Sequence, residues 1–530
     1  MELDLAGHRT LIQSILQGKL AGIEGSHFEL IETHISSVII SDRYVYKFKK
    51  PLDLGFLDFS TLQKRHFYCD EELRLNRRLS PDLYVDVVAV YGSADAPSLE
   101  AQGEVLEYLV RMKPFPQQAQ LDRLLQQGRL QDEQMVRFAE FIADFHGVAA
   151  IASDAQDFGN PEQVMKPVVE NFQQIRQHQL RVGMESRLIR LQQWSEDFMQ
   201  RHRALFEQRK QQGFIRECHG DLHLRNLAWL HDAPLAFDCI EFDPNLYWID
   251  VINDIAFLLM DLYYQQRAEM AQVFLNRYLE QSGDYSGLRL LRFYLLYRAL
   301  VRVKIEIISA TQAGVGERAR QQAWSHLEAY LQLAESLIEP PPPTLYILHG
   351  PSASGKSTLA RQLAPFTAAV ILRSDVERKR LFGVGLKSNM GSGFGEGIYT
   401  AQATEQTYHR LLELSEAVLD GGFSVMIDAT FSQPAQRAMF QQMAKRRGCD
   451  YRIIDLHVPA SILRQRIVAR QHDVSDADLK ILENQLIAWQ PLEPRERDYE
   501  INVDATREWD RDSLRELLLS SSRLRSKESV

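Results

Sequence analysis

The C-terminal third of the chain alternates short, almost unbroken apolar runs with helical patterns. Thr344 to His349, Ala368 to Leu372, Phe423 to Ile427, Tyr451 to Val458 and Tyr499 to Val503 read as strands. Runs without a polar face suit strands buried on both sides, so the pattern predicts a three-layer α/β domain around a parallel sheet. Upstream the texture differs. Ser37 to Phe48 alternates like a hairpin turning at Ser41 and Asp42, Leu288 to Leu337 reads as a long helical stretch, and the helical character between them is interrupted near residues 215 to 250. Pro340, Pro341, Pro342 and Pro343 separate the two textures; they cannot continue a helix and favour a stiff extended spacer. The predicted division is residues 1–339, a linker at 340–343, and residues 344–530.

Bulk properties narrow the class. A chain of 530 residues exceeds what one hydrophobic core organises, which agrees with two or three domains. A net charge of -10 disfavours a protein whose main task is neutralising a nucleic-acid backbone. Cys69, Cys218, Cys239 and Cys449 form no C-x-x-C pair, so neither a disulfide framework nor a zinc knuckle is expected, and reducing cytoplasm is the expected setting. The start, MELDLAGHRT, has acids where a signal peptide would carry basic residues, and no uncharged apolar stretch reaches the roughly 18 residues of a membrane span, so membrane insertion is not expected.

The first strand of the C-terminal region runs into GPSASGKS, Gly350 to Ser357, and then into an amphipathic helix. That strand, turn and helix context makes the motif a phosphate cradle: backbone N–H groups from Gly350, Ser352, Ala353, Ser354, Gly355 and on to Thr358 face phosphate oxygens. Lys356 spans the β and γ phosphates of ATP, and the Ser357 hydroxyl reaches Mg2+. Two carboxylates stand at predicted strand ends beside the crevice where such sheets bind ligands, Asp375 in RSD and Asp428 in IDAT. Asp375 suits either the proton acceptor of an attacking hydroxyl or the N-cap of a helix starting at Val376. Asp428 suits a metal arm or a plain turn residue. Arg464, Arg466 and Arg470 follow on a helical stretch, as a closing lid or as a solvated basic face.

Together, GPSASGKST, RSD followed by Arg378, the VMIDAT strand end and the later arginines resemble the P-loop small-molecule and polynucleotide kinases, including the zeta-toxin and chloramphenicol phosphotransferase branch. The resemblance covers roughly residues 344 to 510 and implies phosphoryl transfer to a hydroxyl, with Asp375 as base and Arg378 near the acceptor.

A second constellation lies upstream. HGDLHLRN at His219 to Asn226 is followed by Asp238 in LAFDCIEFDP. Phosphoryl transfer on the protein-kinase plan uses an Asp near the acceptor hydroxyl (Asp221), an Asn five residues later for one metal (Asn226), and an Asp on a nearby strand end for another (Asp238). It also uses a strand lysine on the phosphates and a helix glutamate to hold it. Lys47 in YVYK fits the first, and Glu72, with Glu71 as its neighbour, fits the second. EYLVRM, Glu107 to Met112, is the expected hinge strip for adenine. Gly220 replaces the arginine with which protein kinases read a phosphorylated loop, and Cys239 and Ile240 replace the Phe-Gly after the metal-binding Asp. Asp250 and Asp254 are expected on one helix face as structural support for the loop.

HGDLHLRN with Asp238, Asp250 and Asp254 closely resembles the aminoglycoside phosphotransferase family and its choline- and homoserine-kinase-like relatives, over roughly residues 25 to 300. The expected fold class is accordingly α/β and α+β: a two-lobed protein-kinase-like domain followed by a P-loop three-layer domain. The expected function is a bifunctional ATP- and Mg2+-dependent kinase acting on hydroxyls of small molecules at two sites. Two alternatives stand beside it: one half as a nucleotide-binding regulatory module, or a C-terminal half that phosphorylates nucleic-acid 5′-hydroxyls. The acceptors and the oligomeric state are not written in the sequence.

Overall fold

The structure is a computed structural model describing residues 3–55, 57–312, 314–385, 400–469 and 479–523. The chain forms two compact units, each built from two stretches. One comprises Met1–Asp261 with Tyr297–Tyr330, the other Leu262–Leu296 with Leu331–Val530. No helix among the described residues is long and apolar enough to cross a membrane.

In the first unit, β1 (Glu29–Glu32), β2 (Ser36–Ile40), β3 (Val45–Lys49), β4 (Tyr84–Ser93), β5 (Ala96–Ser98) and β6 (Val105–Met112) form an antiparallel sheet in the order β1-β2-β3-β6-β4-β5. The period of two along β3 decides what each face carries. Tyr46 and Phe48 enter a core with Leu11, Ile12, Ile15, Ile39 and Leu109. Val45 faces the other way, into a cluster with Cys69, Leu83, Tyr84 and Val110, and Lys47 and Lys49 follow it onto that face at intervals of two. The helix Leu62–Asn76, capped by Thr61, crosses there. Its buried stripe is Arg65, Cys69, Glu72 and Asn76, spaced like a core-facing helix but mostly polar. Arg65 is fully buried and donates Nε to both oxygens of Glu107 at 2.9 Å. Glu107 to Met112, the expected hinge strip, lies within β6, and irregular backbone begins at Lys113.

The break in helical character near residue 215 is two small ribbons. β7 (Ile215–Glu217) pairs with β10 (Trp248–Asp250), and β8 (Leu227–Leu230) pairs with β9 (Ala233–Ala236), which places HGDLHLRN between β7 and β8. Leu288 to Leu337 resolves into two helices, Leu288–Thr311 and Glu317–Ile338.

In the second unit, β11 (Thr344–His349), β12 (Ala369–Arg373), β13 (Ser424–Asp428), β14 (Asp450–His457) and β15 (Glu500–Asp504) form a parallel sheet ordered β12-β13-β11-β14-β15. Every residue of β12 is buried, as are six consecutive residues of β14, so both faces are covered, as the unbroken apolar runs require. Leu262–Leu296 joins this unit for a visible reason. On the helix Ala268–Ser282, Gln272 Nε2 and Asn276 Nδ2 donate to Ala369 O at 2.7 and 3.1 Å, and Asn276 Oδ1 accepts from Ile371 N at 2.7 Å. Two amide side chains thereby satisfy backbone groups on the outer side of edge strand β12. Arg292 similarly donates to Gly421 O and Gly422 O at 3.0 and 2.6 Å.

Candidate functional sites

The first constellation assembles around β3. Lys47 Nζ lies 2.7 Å from Glu72 Oε1 and 2.5 Å from Asp238 Oδ1, joining a strand, a helix and a loop that are far apart in sequence. Glu71 turns away to Arg74, so the structure pairs Glu72 with the strand lysine. Burial by itself would lower the Lys47 ammonium, but Asp238 and Glu72 outweigh it and hold it well above its usual range. Burial would likewise raise the Glu72 carboxyl, yet Lys47 and Lys49 bring it down to about 2. Asp238 sits at φ 62°, in the left-handed region that costs a non-glycine residue energy, and its backbone N–H donates to the Tyr84 hydroxyl at 3.1 Å. Its side chain is 47% exposed and opens to solvent, unlike Glu72 at 0%.

The catalytic-loop candidate is fixed by its backbone. Asp254 accepts from His219 N at 3.1 Å, from Gly220 N at 2.8 Å and lies 3.0 Å from His146 Nε2, while Asp261 accepts from Leu224 N at 3.1 Å. Gly220 has φ 85°, and a Cβ there would stand 2.7 Å from Leu246 O, so no side chain fits where protein kinases place an arginine. Asp250 departs from the expectation of one shared helix face. It ends β10, one residue before the helix Val251–Tyr264, and forms a buried pair with Arg209 at 2.6 Å. Within the loop, Asn226 Nδ2 donates to Asp221 Oδ2 at 3.0 Å, and His223 Nε2 lies 3.3 Å from the same oxygen. Burial would raise the Asp221 carboxyl, but His223 and Arg302 prevail and keep it well below the usual carboxylate range. The group is therefore an anion at neutral pH. With Nδ2 engaged by Asp221, Asn226 keeps its amide oxygen as a hard donor, which together with the Asp238 carboxylate suits a divalent cation.

In the second unit, β11 turns through Gly350–Gly355 into the helix Lys356–Thr367. Ala353 and Gly355 take φ of 65° and 97°, and a Cβ on Gly350 would meet Ser354 Oγ at 2.7 Å, which is the tight wrap a phosphate cradle needs. Lys356 Nζ donates to Gly350 O and Pro351 O at 2.8 Å each. Ser352 N donates to Gln485 Oε1 at 2.8 Å. Ser354 is buried, whereas Thr358 is exposed on the first turn of the helix. Ser357 Oγ donates to Asp428 Oδ2 at 2.6 Å, and Arg373 Nε lies 3.6 Å from that oxygen. The register of β12 on β13, Arg373 opposite Asp428, produces this meeting. A hydroxyl and a carboxylate at a strand end are again hard oxygen donors.

Asp375 lies in the first turn of the helix Ser374–Leu381, whose N-cap is Arg373. The capping alternative for Asp375 is thus overturned, because the helix begins two residues earlier than its sequence suggests. Arg378 donates to Thr404 Oγ1 at 3.4 Å. The arginines diverge. Arg464 pairs with Glu483 at 2.7 Å, while Arg466 reaches the P-loop backbone, with Nη1 3.4 Å from Ser354 O, and donates Nη2 to Ala505 O at 2.8 Å. Arg470 lies outside the described residues.

Several contributors had no readable sign in the sequence. Lys49 touches Glu72 at 2.8 Å and also pairs with Glu241, but in KFKK it looks like one of a solvated charge run. Its spacing of two from Lys47 was the available signal. Tyr84, Arg302 and Arg373 act through contacts that no local spacing encodes, whereas His223 meets Asp221 two residues away, inside HGDLHLRN.

Known proteins match both constellations. Residues 57–291 match the model of the phosphotransferase enzyme family, and residues 345–492 match that of an AAA domain. Uncharacterized proteins of Mycobacterium tuberculosis and Mycobacterium bovis are each 28% identical over 452 residues, covering 85% of this chain and 88% of theirs. Among solved structures, a choline/ethanolamine kinase family protein from Mesorhizobium loti is 12% identical, covering 62% of this chain and 96% of its own, with a TM-score of 0.41. A gluconokinase from Sinorhizobium meliloti 1021 is 19% identical, covering 35% and 95%, with a TM-score of 0.24. The chain thus carries a phosphotransferase-type segment followed by a P-loop segment, an assignment that rests on the family models and the site geometry rather than on these two structures.

Proposed function

We propose that the chain is a bifunctional phosphotransferase that moves the γ-phosphate of ATP to hydroxyls of small molecules at two separate sites, encoded by residues 1–339 and 344–530. In the first, Asp221 accepts the acceptor's proton, Lys47 held by Glu72 grips the α and β phosphates, and Asn226 and Asp238 hold Mg2+. In the second, Gly350 through Thr358 cradle the phosphates, Lys356 spans them, Ser357 and Asp428 hold the metal, and Asp375 is the base. Arg466, with Arg470 beyond it, closes over the transferring group. The bound metal would neutralise charge on the β and γ oxygens at either site. A cytoplasmic protein acting on small molecules agrees with the acidic composition.

One observation carries the reading: Lys47, Glu72 and Asp238 converge within 2.7 Å from three separate stretches of chain. An isolated motif match does not require that. The test substitutes Asp221→Asn and Lys356→Ala singly and together in the full chain and follows ATP consumption with a panel of hydroxyl metabolites. Each single change should abolish turnover with a different acceptor. Unchanged turnover in the double variant sinks the proposal, and loss of one activity only, with nucleotide still bound at the other site, would make that other half a regulatory module.

A further inference from the structure

Behind the Lys47–Glu72 pair lies a second ion pair that phosphate gripping does not by itself require. Glu72 presents Oε1 to Lys47 and Oε2 to Lys49, at 2.7 and 2.8 Å, and Lys49 also bonds Glu241, three residues beyond Asp238. The ring of Phe59 lies 4.9 Å from Lys49 Nζ. The five groups form a chain, Glu241–Lys49–Glu72–Lys47–Asp238, graded from a dry end to a wet one: side-chain exposure is 1% at Lys49, 12% at Lys47 and 47% at Asp238. The dry end also ties two elements together. Asn76 Oδ1 accepts from Cys239 N at 2.9 Å while its Nδ2 donates to Glu72 O at 2.8 Å, so the helix that carries Glu72 holds the segment between Asp238 and Glu241 as well.

We propose that Lys49 and Glu241 are positioning residues that free Lys47 for a nucleotide phosphate. The inference rests on reading the first unit as an ATP site. To meet a phosphate, Lys47 must give up Asp238 while Glu72 goes on holding it. With Lys47 as its sole cation, the fully buried Glu72 carboxylate would draw that ammonium to both of its oxygens and away from the phosphate. Lys49 removes the conflict by taking Oε2 from the other side, so that Lys47 is held through Oε1 alone. Glu241 in turn fixes Lys49 to the segment that carries Asp238 three residues earlier.

The test separates positioning from mere stability. In a full-length Lys356→Ala background, which silences the P-loop, binding of a non-hydrolysable ATP analogue with Mg2+ is measured by calorimetry alongside the melting temperature. Lys49→Met alone should lower both, because Glu72 and Glu241 lose a partner. The double variant Lys49→Met/Glu241→Leu also removes the Glu241 carboxylate that Lys49→Met leaves buried without a cation, so it should melt above Lys49→Met, with Glu72 still short of its second lysine. It should nevertheless bind the analogue at least 10-fold more weakly than the parent, no better than Lys49→Met. A double variant that binds the analogue within twofold of the parent overturns the proposal. Should the double variant not fold, Glu241→Gln, which preserves shape, is expected to weaken binding at least threefold, and unchanged affinity there overturns it equally. A Lys356→Ala parent that binds no analogue, or one whose binding Lys47→Ala does not weaken, instead refutes the ATP-site reading itself.

Discussion

The amides that cover edge strand β12 permit a quantitative test by a double-mutant cycle. Asn276 Oδ1 is the acceptor for Ile371 N, and Asn276 Nδ2 shares Ala369 O with Gln272 Nε2. Asn276→Ala leaves the Ile371 N–H without that acceptor against a strand in which every residue is buried, a desolvation cost of ~1–3 kcal/mol. Gln272→Ala removes one of two donors from Ala369 O and should cost only ~0.5–1 kcal/mol, because the carbonyl keeps Asn276. The double change orphans that carbonyl too, so the effects should exceed additivity by about 1 kcal/mol. For a unit of roughly 150–250 residues, at about 2–4 °C per kcal/mol, the Asn276→Ala loss corresponds to about 2–12 °C in its melting transition. Two units preclude a single two-state fit, so amide exchange at Ile371 and Val370 is the better assay, with calorimetry in support. Three variants that each stay within ~0.5 kcal/mol of the parent, or that add without coupling, would refute the idea that these side chains stand in for a missing strand.

Other outcomes are equally concrete. Gly220→Ala combines φ 85° with a 2.7 Å approach to Leu246 O, so it should abolish turnover at the first site while P-loop nucleotide binding, read by calorimetry, persists. Asp254→Asn keeps shape but turns one of the two oxygens that meet His219 N, Gly220 N and His146 into an amide donor and removes the charge; a loss of ~2–4 kcal/mol in the melting of the first unit is expected, with kcat falling more than KM rises. Arg466→Ala should weaken nucleotide binding at the P-loop, whereas Arg464→Ala, whose partner is the exposed Glu483, should not, as titration calorimetry would tell. Glu72 provides a pH signature. Its carboxyl is depressed from 4.5 to about 2, so its stabilisation is complete above pH 4.5 and is lost as pH falls toward 2. Acid unfolding of Glu72→Gln should be flatter than the parent's across that window.

Local pattern carried much of this architecture. Each strand of the parallel sheet falls within about one residue of its expected run; in β12, β13 and β14 burial on both faces leaves no polar interruption to blur the ends, while edge strand β15, with Asn502 and Asp504 exposed, alternates. HGDLHLRN and Asp238 were visible by spacing, since the loop that joins β7 to β8 is short. What escaped lies in partnerships made at long range. Lys49 finds Glu241 across 192 positions, and Arg65 at the head of a polar buried stripe finds Glu107. A stripe of Arg, Cys, Glu and Asn has helical periodicity but not hydrophobicity, so a hydrophobic reading passes over it. Asp375 shows the complementary error: a good capping residue was outrun by a helix that starts two positions sooner.

The helix Ala268–Ser282 lies in the stretch matching the phosphotransferase family, yet its amides complete the sheet that holds the P-loop. The segment recognisable by kinship and the segment that packs as one body do not coincide. A gene fragment beginning at the proline run would encode the whole nucleotide motif and still yield a sheet with a bare edge, open to pairing with another molecule. A cut at the proline run therefore parts β12 from the amides that cover it, whereas a cut ahead of Leu262 keeps them together.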